Sequence, residues 1–110
     1  MSIIVNLYYS GIKENAKKFA EEMESSGMAE QIRSEKGNLQ YEYFFPMNDP
    51  ETVLLIDGWQ DQVALDRHHA SPIMAKIANL REKYDLHMKV ERYVSDDAGV
   101  ADADKQYIRE

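Results

Sequence analysis

The sequence predicts an α+β domain whose strands and helices follow one another in the order βαββαβ. Two stretches repeat apolar residues with the period of a helix, and four shorter stretches are rich in β-branched and aromatic residues. Each helical stretch separates two strands, and only a short turn separates the second strand from the third. This is the order of the split βαβ, or ferredoxin-like, pattern, in which both helices cover one face of an antiparallel sheet.

The first part of the chain supplies a strand and an amphipathic helix. The strand from Ile3 to Tyr9 has two faces, one formed by Ile3, Val5, Leu7 and Tyr9 and the other by Ile4, Asn6 and Tyr8. Asn6 is polar among apolar neighbours, so if it is buried it either bonds a nearby backbone group or lines a cavity with a polar ligand. Ser10 is a candidate N-cap for the helix, whose apolar stripe runs from Ile12 to Met23.

The middle of the chain predicts a hairpin with a buried second strand. Leu39 to Phe45 alternates apolar and polar residues, and the turn from Pro46 to Pro50 joins it to the next strand. Val53 to Ile56 is a continuous apolar run, which is typical of a strand with both faces covered. We therefore expect this strand to be central in the sheet and to end at Trp59.

Two helical segments and a last strand follow. Asp61 is a plausible N-cap for Gln62 to Ala70, and Ser71 for a second segment with Pro72 at its first position. Period two returns in the strand from Leu86 to Val94.

One face of such a sheet carries no helix, and the sequence predicts that a second copy covers it. The rows expected on this open face are apolar: Ile3, Val5 and Leu7 on the first strand, and Leu86, Met88 and Val90 on the last. An apolar surface of that size is typical of an interface between subunits. We expect a homodimer joined through the sheet faces.

Composition narrows the class of protein. The 110 residues suit one domain, which we place at residues 1–94, followed by an acidic tail at 95–110 that is either flexible or docked on the dimer. No apolar run is long enough to cross a bilayer, and the start of the chain has no basic segment of a secretory signal, so we expect a cytoplasmic protein. The net charge of −7 disfavours nucleic acid and anionic membranes as partners. Since there is no cysteine, thiolate metal sites and iron–sulfur clusters are excluded.

The chemistry points to a small apolar pocket rather than to a metal or cofactor site. His68 and His69 are adjacent on a helix and point about 100° apart, so they cannot easily hold one ion. No glycine fingerprint for nucleotides or flavins is present. We expect a pocket between the helices and the sheet that takes a flat aromatic ligand. Its candidate lining residues are Asn6, Tyr8, Tyr41, Tyr43, Trp59, His68, His69 and Met74.

Alternatives stay open for several of these residues. Trp59 suits core filling as well as a ligand wall, and helical phase leaves His69 between the pocket and solvent. Tyr41 and Tyr43 are more often packing residues than catalytic ones.

The stretch around Trp59 resembles a known family. Its residues Trp59, Asp61, Ala64, Leu65, Asp66, His68, Ser71 and Pro72 are similar to the W-x-D-x-x-A-L-x-x-H-x-x-S signature of the antibiotic biosynthesis monooxygenase family. The resemblance extends from Ile3 to Val94 in the order of the strands. It implies a ferredoxin-like fold in which two subunits form a dimeric α/β barrel. It also implies that Asn6, Trp59 and His68 border the pocket. The family often has glutamate two residues before the tryptophan, where this chain has Asp57.

These observations together predict a cofactor-independent monooxygenase of a quinol-like or polyphenolic aromatic. His68 would be the general base, because a histidine titrates near neutral pH and a deprotonated phenol can react directly with oxygen. Asn6 and Trp59 would position the ring. The alternatives are a dimeric ligand-binding or sensing protein without turnover, and an isomerase or degradation enzyme for a small signalling metabolite.

Overall fold

The chain forms a four-stranded antiparallel sheet with helices on one face, in a computed structural model that describes all 110 residues. The elements in chain order are β1 (Ile3–Ser10), α1 (Asn15–Ser25), α2 (Met28–Arg33), β2 (Asn38–Phe44), β3 (Thr52–Trp59), α3 (Gln62–His69), α4 (Ile73–Lys83), β4 (His87–Val94) and α5 (Asp102–Lys105). The strand order in the sheet is β2-β3-β1-β4. This is the predicted ferredoxin-like α+β fold, and β3 is a central strand as expected.

The helix face of the sheet is the side against which α1, α3 and α4 pack. Tyr9 on β1 contacts Phe19 on α1, with ring centroids 4.9 Å apart, and both side chains are fully buried. Val53, Leu55 and Trp59 of β3 lie on the same face and are also buried. The core is therefore built between the odd-numbered residues of β1 and β3 and the apolar sides of the helices.

The outer face of the sheet, which carries no helix, is formed by the even-numbered residues of β1 and β3 and their neighbours. Across β1 and β3, Asn6 pairs with Ile56 and Tyr8 with Leu54. On the flanking strands, Tyr93 stands beside Ile4 and Phe44 beside Leu54. Apolar side chains thus occupy the middle of this face.

The assignment of the two faces differs from the prediction. Val5, Leu7, Met88 and Val90 were expected on the open face, but they lie on the helix face; Asn6 and Tyr8 were expected towards the helices, but they lie on the outer face. Both rows of β1 are largely apolar, so alternation separates them without telling which one the helices cover. The burial of Ile3 and Tyr9 at the ends of the odd-numbered row decides the question.

Two predicted helix caps are also different. Before α1 the chain turns through Lys13 and Glu14, both at positive φ, so Ser10 ends the strand instead of capping the helix, and Ile12 is 62% exposed. Pro72 stands at the N-cap of α4, and the Ser71 hydroxyl donates to the carbonyl of His68, at the end of α3. Asp61 caps α3 as predicted, since its Oδ1 accepts from the Ala64 amide at 2.9 Å.

The two ends of the β-sheet domain lie together, and the helices are short. Ser2 and Ser95 are joined by two hydrogen bonds of 2.9 Å, and only α5 follows them. The division of the chain into a domain at residues 1–94 and a tail at 95–110 stays a prediction. The longest helices, α1 and α4, have 11 residues each, and none of the helices has the length and apolar character needed to cross a membrane.

Candidate active site

The candidate site is a cavity of about 350 Å³ between the helix face of the sheet and helices α3 and α4. We call it the site cavity. Two thirds of its 15 lining residues are hydrophobic. The lining residues are Val5, Leu7, Tyr9, Tyr41, Leu55, Asp57, Leu65, His68, His69, Met74, Ile77, Arg81, Met88, Val90 and Arg92. An apolar cavity with few polar groups suits a flat organic ligand.

His68 is held in the wall of the site cavity by an acidic partner. Its Nδ1 lies 2.9 Å from one carboxylate oxygen of Glu35 and 3.1 Å from the other. The imidazole is buried, with 3% of its surface exposed. A carboxylate at Nδ1 favours the tautomer with the proton on that atom, so Nε2 is left as the acceptor.

The charge state of His68 also suits a base. Burial lowers the pKa of His68, and the neighbouring Glu35 opposes this effect. Since the lowering dominates, the ring is mostly neutral at neutral pH. A neutral histidine with a free Nε2 can accept a proton from a bound ligand.

Trp59 supports His68 from behind. The two rings are stacked, with centroids 4.7 Å apart and an interplanar angle of 26°. Trp59 is fully buried and does not line the site cavity. Trp59 therefore fixes the plane of the imidazole and fills the core. It is not in a position to contact a ligand in the site cavity.

Asp57 is a second ionisable group in the wall. Its Oδ1 accepts from the indole Nε1 of Trp59 at 2.7 Å. Burial raises the pKa of Asp57 to about 7; the bond from Trp59 opposes the rise, and the charge of Glu35 adds to it. Asp57 is thus a carboxyl group that can both donate and accept a proton at neutral pH.

The local sequence explains how α3 presents His68. The Gln60 amide donates to the carbonyl of Gly37 at 2.8 Å, which ties the end of β3 to the chain just before β2. The Asp61 cap then starts α3, and Ala64, Leu65 and His68 form its buried side. Because positions three and four apart lie on one side of a helix, His68 follows Leu65 towards the sheet.

The structure brings together only part of the predicted site. His68, His69, Met74 and Tyr41 line the site cavity, with His69 also exposed to solvent. Tyr43 packs behind the cavity against Tyr41 and Phe19, and its buried hydroxyl has no hydrogen-bond partner. Asn6 and Tyr8 lie on the outer face and do not reach the cavity.

Sequence reasoning missed Glu35 and the arginines Arg81 and Arg92. Glu35 lies in the turn after α2, 33 residues before His68, and no pattern in the sequence links the two. Arg81 sits on the helix that contributes Ile77, one turn further on, so its inward direction is visible only in the helical phase.

A second, more open groove of about 920 Å³ runs beside α1, β2 and Tyr84. Its walls carry Glu21, Glu22, Glu24 and Glu42, and no histidine. Glu22 and Glu24 are already paired with Lys83 and Arg33. Because this groove has no histidine and two of its glutamates are engaged in ion pairs, the site cavity is the better candidate for chemistry.

The side chains of this chain form no cluster suited to binding a metal ion. The rings of His68 and His69 are 5.7 Å apart, and no group of three or more histidine, aspartate or glutamate side chains could hold an ion.

Comparisons with known proteins agree with the fold. The model of the family "Antibiotic biosynthesis monooxygenase" matches residues 2–80. A protein of Bacillus subtilis (strain 168), "Putative monooxygenase YcnE", is 27% identical over 67 residues, which are 61% of this chain and 68% of that protein.

Solved structures show the same architecture at low identity. A "putative antibiotic biosynthesis monooxygenase" of Deinococcus radiodurans is 20% identical, with a TM-score of 0.77 over 90% of this chain and 97% of that chain. SnoaB of Streptomyces nogalater, a cofactor-independent oxygenase, is 10% identical, with a TM-score of 0.71 over 87% and 94%. At these low identities, the solved structures are evidence only for a shared fold. The family model matches residues 2–80, which is most of the chain. This chain therefore belongs to the antibiotic biosynthesis monooxygenase family.

Proposed function

We propose that the protein is a cofactor-independent monooxygenase of a quinol-like or polyphenolic aromatic, with His68 as its general base. The observation that carries this proposal is the Glu35–His68 pair in the wall of an apolar cavity. Membership of the family supports the monooxygenase class, and the shared fold with a cofactor-independent oxygenase supports the absence of a cofactor.

The reaction needs only a proton acceptor and a dry cavity. His68 Nε2 takes the proton of a phenolic hydroxyl, and the phenolate ring reduces dioxygen as a carbon–oxygen bond forms. Loss of water from the resulting peroxide leaves a carbonyl. For a hydroquinone the balance is one hydroquinone and one dioxygen to one hydroxyquinone and one water. Asp57, with its pKa near neutrality, can donate the proton that the peroxide needs in order to leave as water.

Oxygen uptake with a panel of hydroquinones tests the proposal. The wild-type protein should consume oxygen, and one atom of isotopically labelled dioxygen should enter the product. His68→Ala should lower kcat/KM by about 10²- to 10⁴-fold, the usual contribution of a general base. The matched control is His87→Ala, because His87 is exposed at the first residue of the edge strand β4, away from the site cavity.

Two outcomes would contradict the proposal. Uptake unaffected by His68→Ala would remove the base from its role. Binding of the hydroquinones with no uptake at all would favour the alternative of a ligand-binding protein without turnover.

A second candidate function is an isomerase, and one observation favours it. Asp57 and His68 face the same cavity, the first with a raised and the second with a lowered pKa. Such a pair can take a proton at one atom of a ligand and return it at another. This activity would continue without oxygen, so anaerobic assays separate the two candidates.

The protein is also proposed to act as a homodimer through the outer face. Asn6 Oδ1 is buried there without a hydrogen-bond partner, and the central side chains around it are apolar. Charged residues, including Lys89, Glu91 and Glu42, stand at the edges of the face. An apolar centre with a charged rim is the usual composition of a subunit interface.

A further inference from the structure

One arginine in the site cavity has no anionic partner. Arg81 projects from α4, and its Nε is buried with no hydrogen-bond partner. Its Nη1 meets only the sulfur of Met88, at 3.3 Å, and sulfur is a weak acceptor. Arg81 takes part in none of the ion pairs of the chain. The side chain as a whole is half-buried, but a buried donor without a partner is uncommon, so a partner from outside the chain is indicated.

Two phenol groups flank Arg81. The guanidinium carbon lies 5.8 Å from the ring centroid of Tyr9, and Tyr41 lines the same cavity. Tyr9 and Tyr41 are 1% and 3% exposed. Burial raises the pKa of both, and the positive charge of Arg81 opposes the rise only in part. Both hydroxyls therefore stay protonated at neutral pH and can donate to an anion.

The other charges of the site cavity do not neutralise Arg81. Asp57 is the only carboxyl group in the lining, it is engaged by Trp59, and at a pKa of about 7 it is partly protonated. Arg92 adds a second positive charge, but it is exposed and its Nη2 donates to Gln62 at 2.7 Å. In a chain of net charge −7, the cavity has two arginines against one partly neutral acid.

We propose that the Arg81 end of the site cavity binds the carboxylate of an aromatic acid, with Arg81 as the anchor and the hydroxyls of Tyr9 and Tyr41 as further donors. This inference rests on the proposed function in taking the cavity as the substrate site. A guanidinium holds a carboxylate better than any other side chain does, because two parallel hydrogen bonds can form.

The position of the anchor limits the shape of the substrate. His68 stacks on Trp59, which pairs with Ile3 at the start of β1, whereas Arg81 lies over Tyr9 near its end. The part of β1 that lines the site cavity, from Val5 to Tyr9, spans about 13 Å of strand. An aromatic acid that meets both groups carries its hydroxyl and its carboxylate at opposite ends of two fused rings.

Calorimetric titration of the full chain with 6-hydroxy-2-naphthoate and with its methyl ester tests the inference. The two probes share the same fused rings and neither needs to react, so binding is measured apart from turnover. The wild-type protein should bind the acid about 10- to 100-fold more tightly than the ester, the factor expected for a hydrogen-bonded charged group. Arg81→Met should remove this preference and leave the affinity for the ester unchanged. The control Arg67→Met, at an exposed position of α3 outside the cavity, should keep the preference.

A gentler variant covers the case in which Arg81→Met does not fold. Tyr41→Phe keeps the ring and removes one donor, so it should weaken binding of the acid several-fold while the ester binds as before. Equal affinity of the wild-type protein for acid and ester, no binding of the acid, or a preference that survives Arg81→Met would overturn the inference. Preference for the acid without oxygen uptake would overturn the proposed function alone, whereas uptake on neutral hydroquinones with no such preference would overturn this inference alone.

Discussion

At the scale of single residues, the contact between Glu35 and His68 controls the strength of the base. The charge of Glu35 raises the pKa of His68 against the larger lowering by burial. Glu35→Gln removes that charge but keeps an oxygen that can accept from Nδ1. We expect the pKa of His68 to fall, so the acid limb of the pH profile of kcat/KM should shift to lower pH. Above both pKa values kcat/KM should be lower than in the wild type, because a weaker base transfers the proton less well.

Steady-state oxygen uptake across pH 4 to 9 would measure this shift. Glu30→Gln is a matched control, since Glu30 is exposed and pairs only with Arg33. An unchanged profile in Glu35→Gln would show that the pair has no part in catalysis.

A second prediction at this scale is that the ionisation of Asp57 makes the free energy of unfolding depend on pH. Its pKa is about 7 in the folded chain and 3.8 ordinarily, so the folded state binds more protons than the unfolded state between those values. Its contribution to stability is therefore present below pH 3.8 and is lost as the pH rises through 7. The difference corresponds to roughly 4 kcal/mol.

Asp57→Asn removes this loss and keeps an oxygen to accept from Trp59. From pH 5 to pH 8.5, the free energy of unfolding of the variant should therefore rise by a few kcal/mol relative to the wild type. His68 has a lowered pKa and acts in the opposite direction, but it is present in both proteins and cancels in the comparison. Urea denaturation at the two pH values measures the difference. A constant difference would mean that Asp57 does not titrate in this window.

At the scale of elements, the contact between Gly37 and α3 fixes the helix that carries His68. Gly37 has a φ of 87°, and a Cβ built there would lie 2.5 Å from the Cβ of Ala64. Gly37→Ala should therefore push α3 away from the sheet and lower the free energy of unfolding by about 2–4 kcal/mol, which combines left-handed strain and overpacking.

Gly27→Ala is the matched control for this change. Gly27 has a φ of 84°, but nothing lies within 4 Å of its added Cβ. Its cost should be only the backbone strain of about 1–2 kcal/mol. Denaturation of the two variants compares them directly, and equal losses would show that the contact with α3 is unimportant.

At the scale of the whole molecule, the outer face decides the state of association. Ile56 stands at its centre, between Asn6 and Glu42. An aspartate there would place a charge in the proposed interface, where desolvation opposes it. Ile56→Asp should therefore convert a dimer into a monomer or cause aggregation, as measured by sedimentation velocity at micromolar concentration.

Val63→Asp is a suitable control for that experiment. Val63 is 64% exposed on α3 and lies away from the sheet. A wild-type protein that sediments as a monomer would remove the dimer and the barrel that depends on it.

The sequence by itself determined the elements, their order and the class of fold. Hydrophobic period and turn residues are local, so the strand run at Val53 to Ile56 and the Asp61 cap were predicted correctly. His68 was expected to face the pocket, and it is buried in the wall of the site cavity; its role there stays a prediction.

Only the tertiary structure decided which row of β1 meets the helices and which side chains meet His68. Both rows of β1 are mainly apolar, so local pattern gives no reason to prefer one; the packing of Tyr9 on Phe19 does. Glu35 reaches His68 from a turn 33 residues away, and Arg81 reaches the cavity from α4. Contacts between distant segments depend on how whole elements dock, and no period or cap within one segment records that.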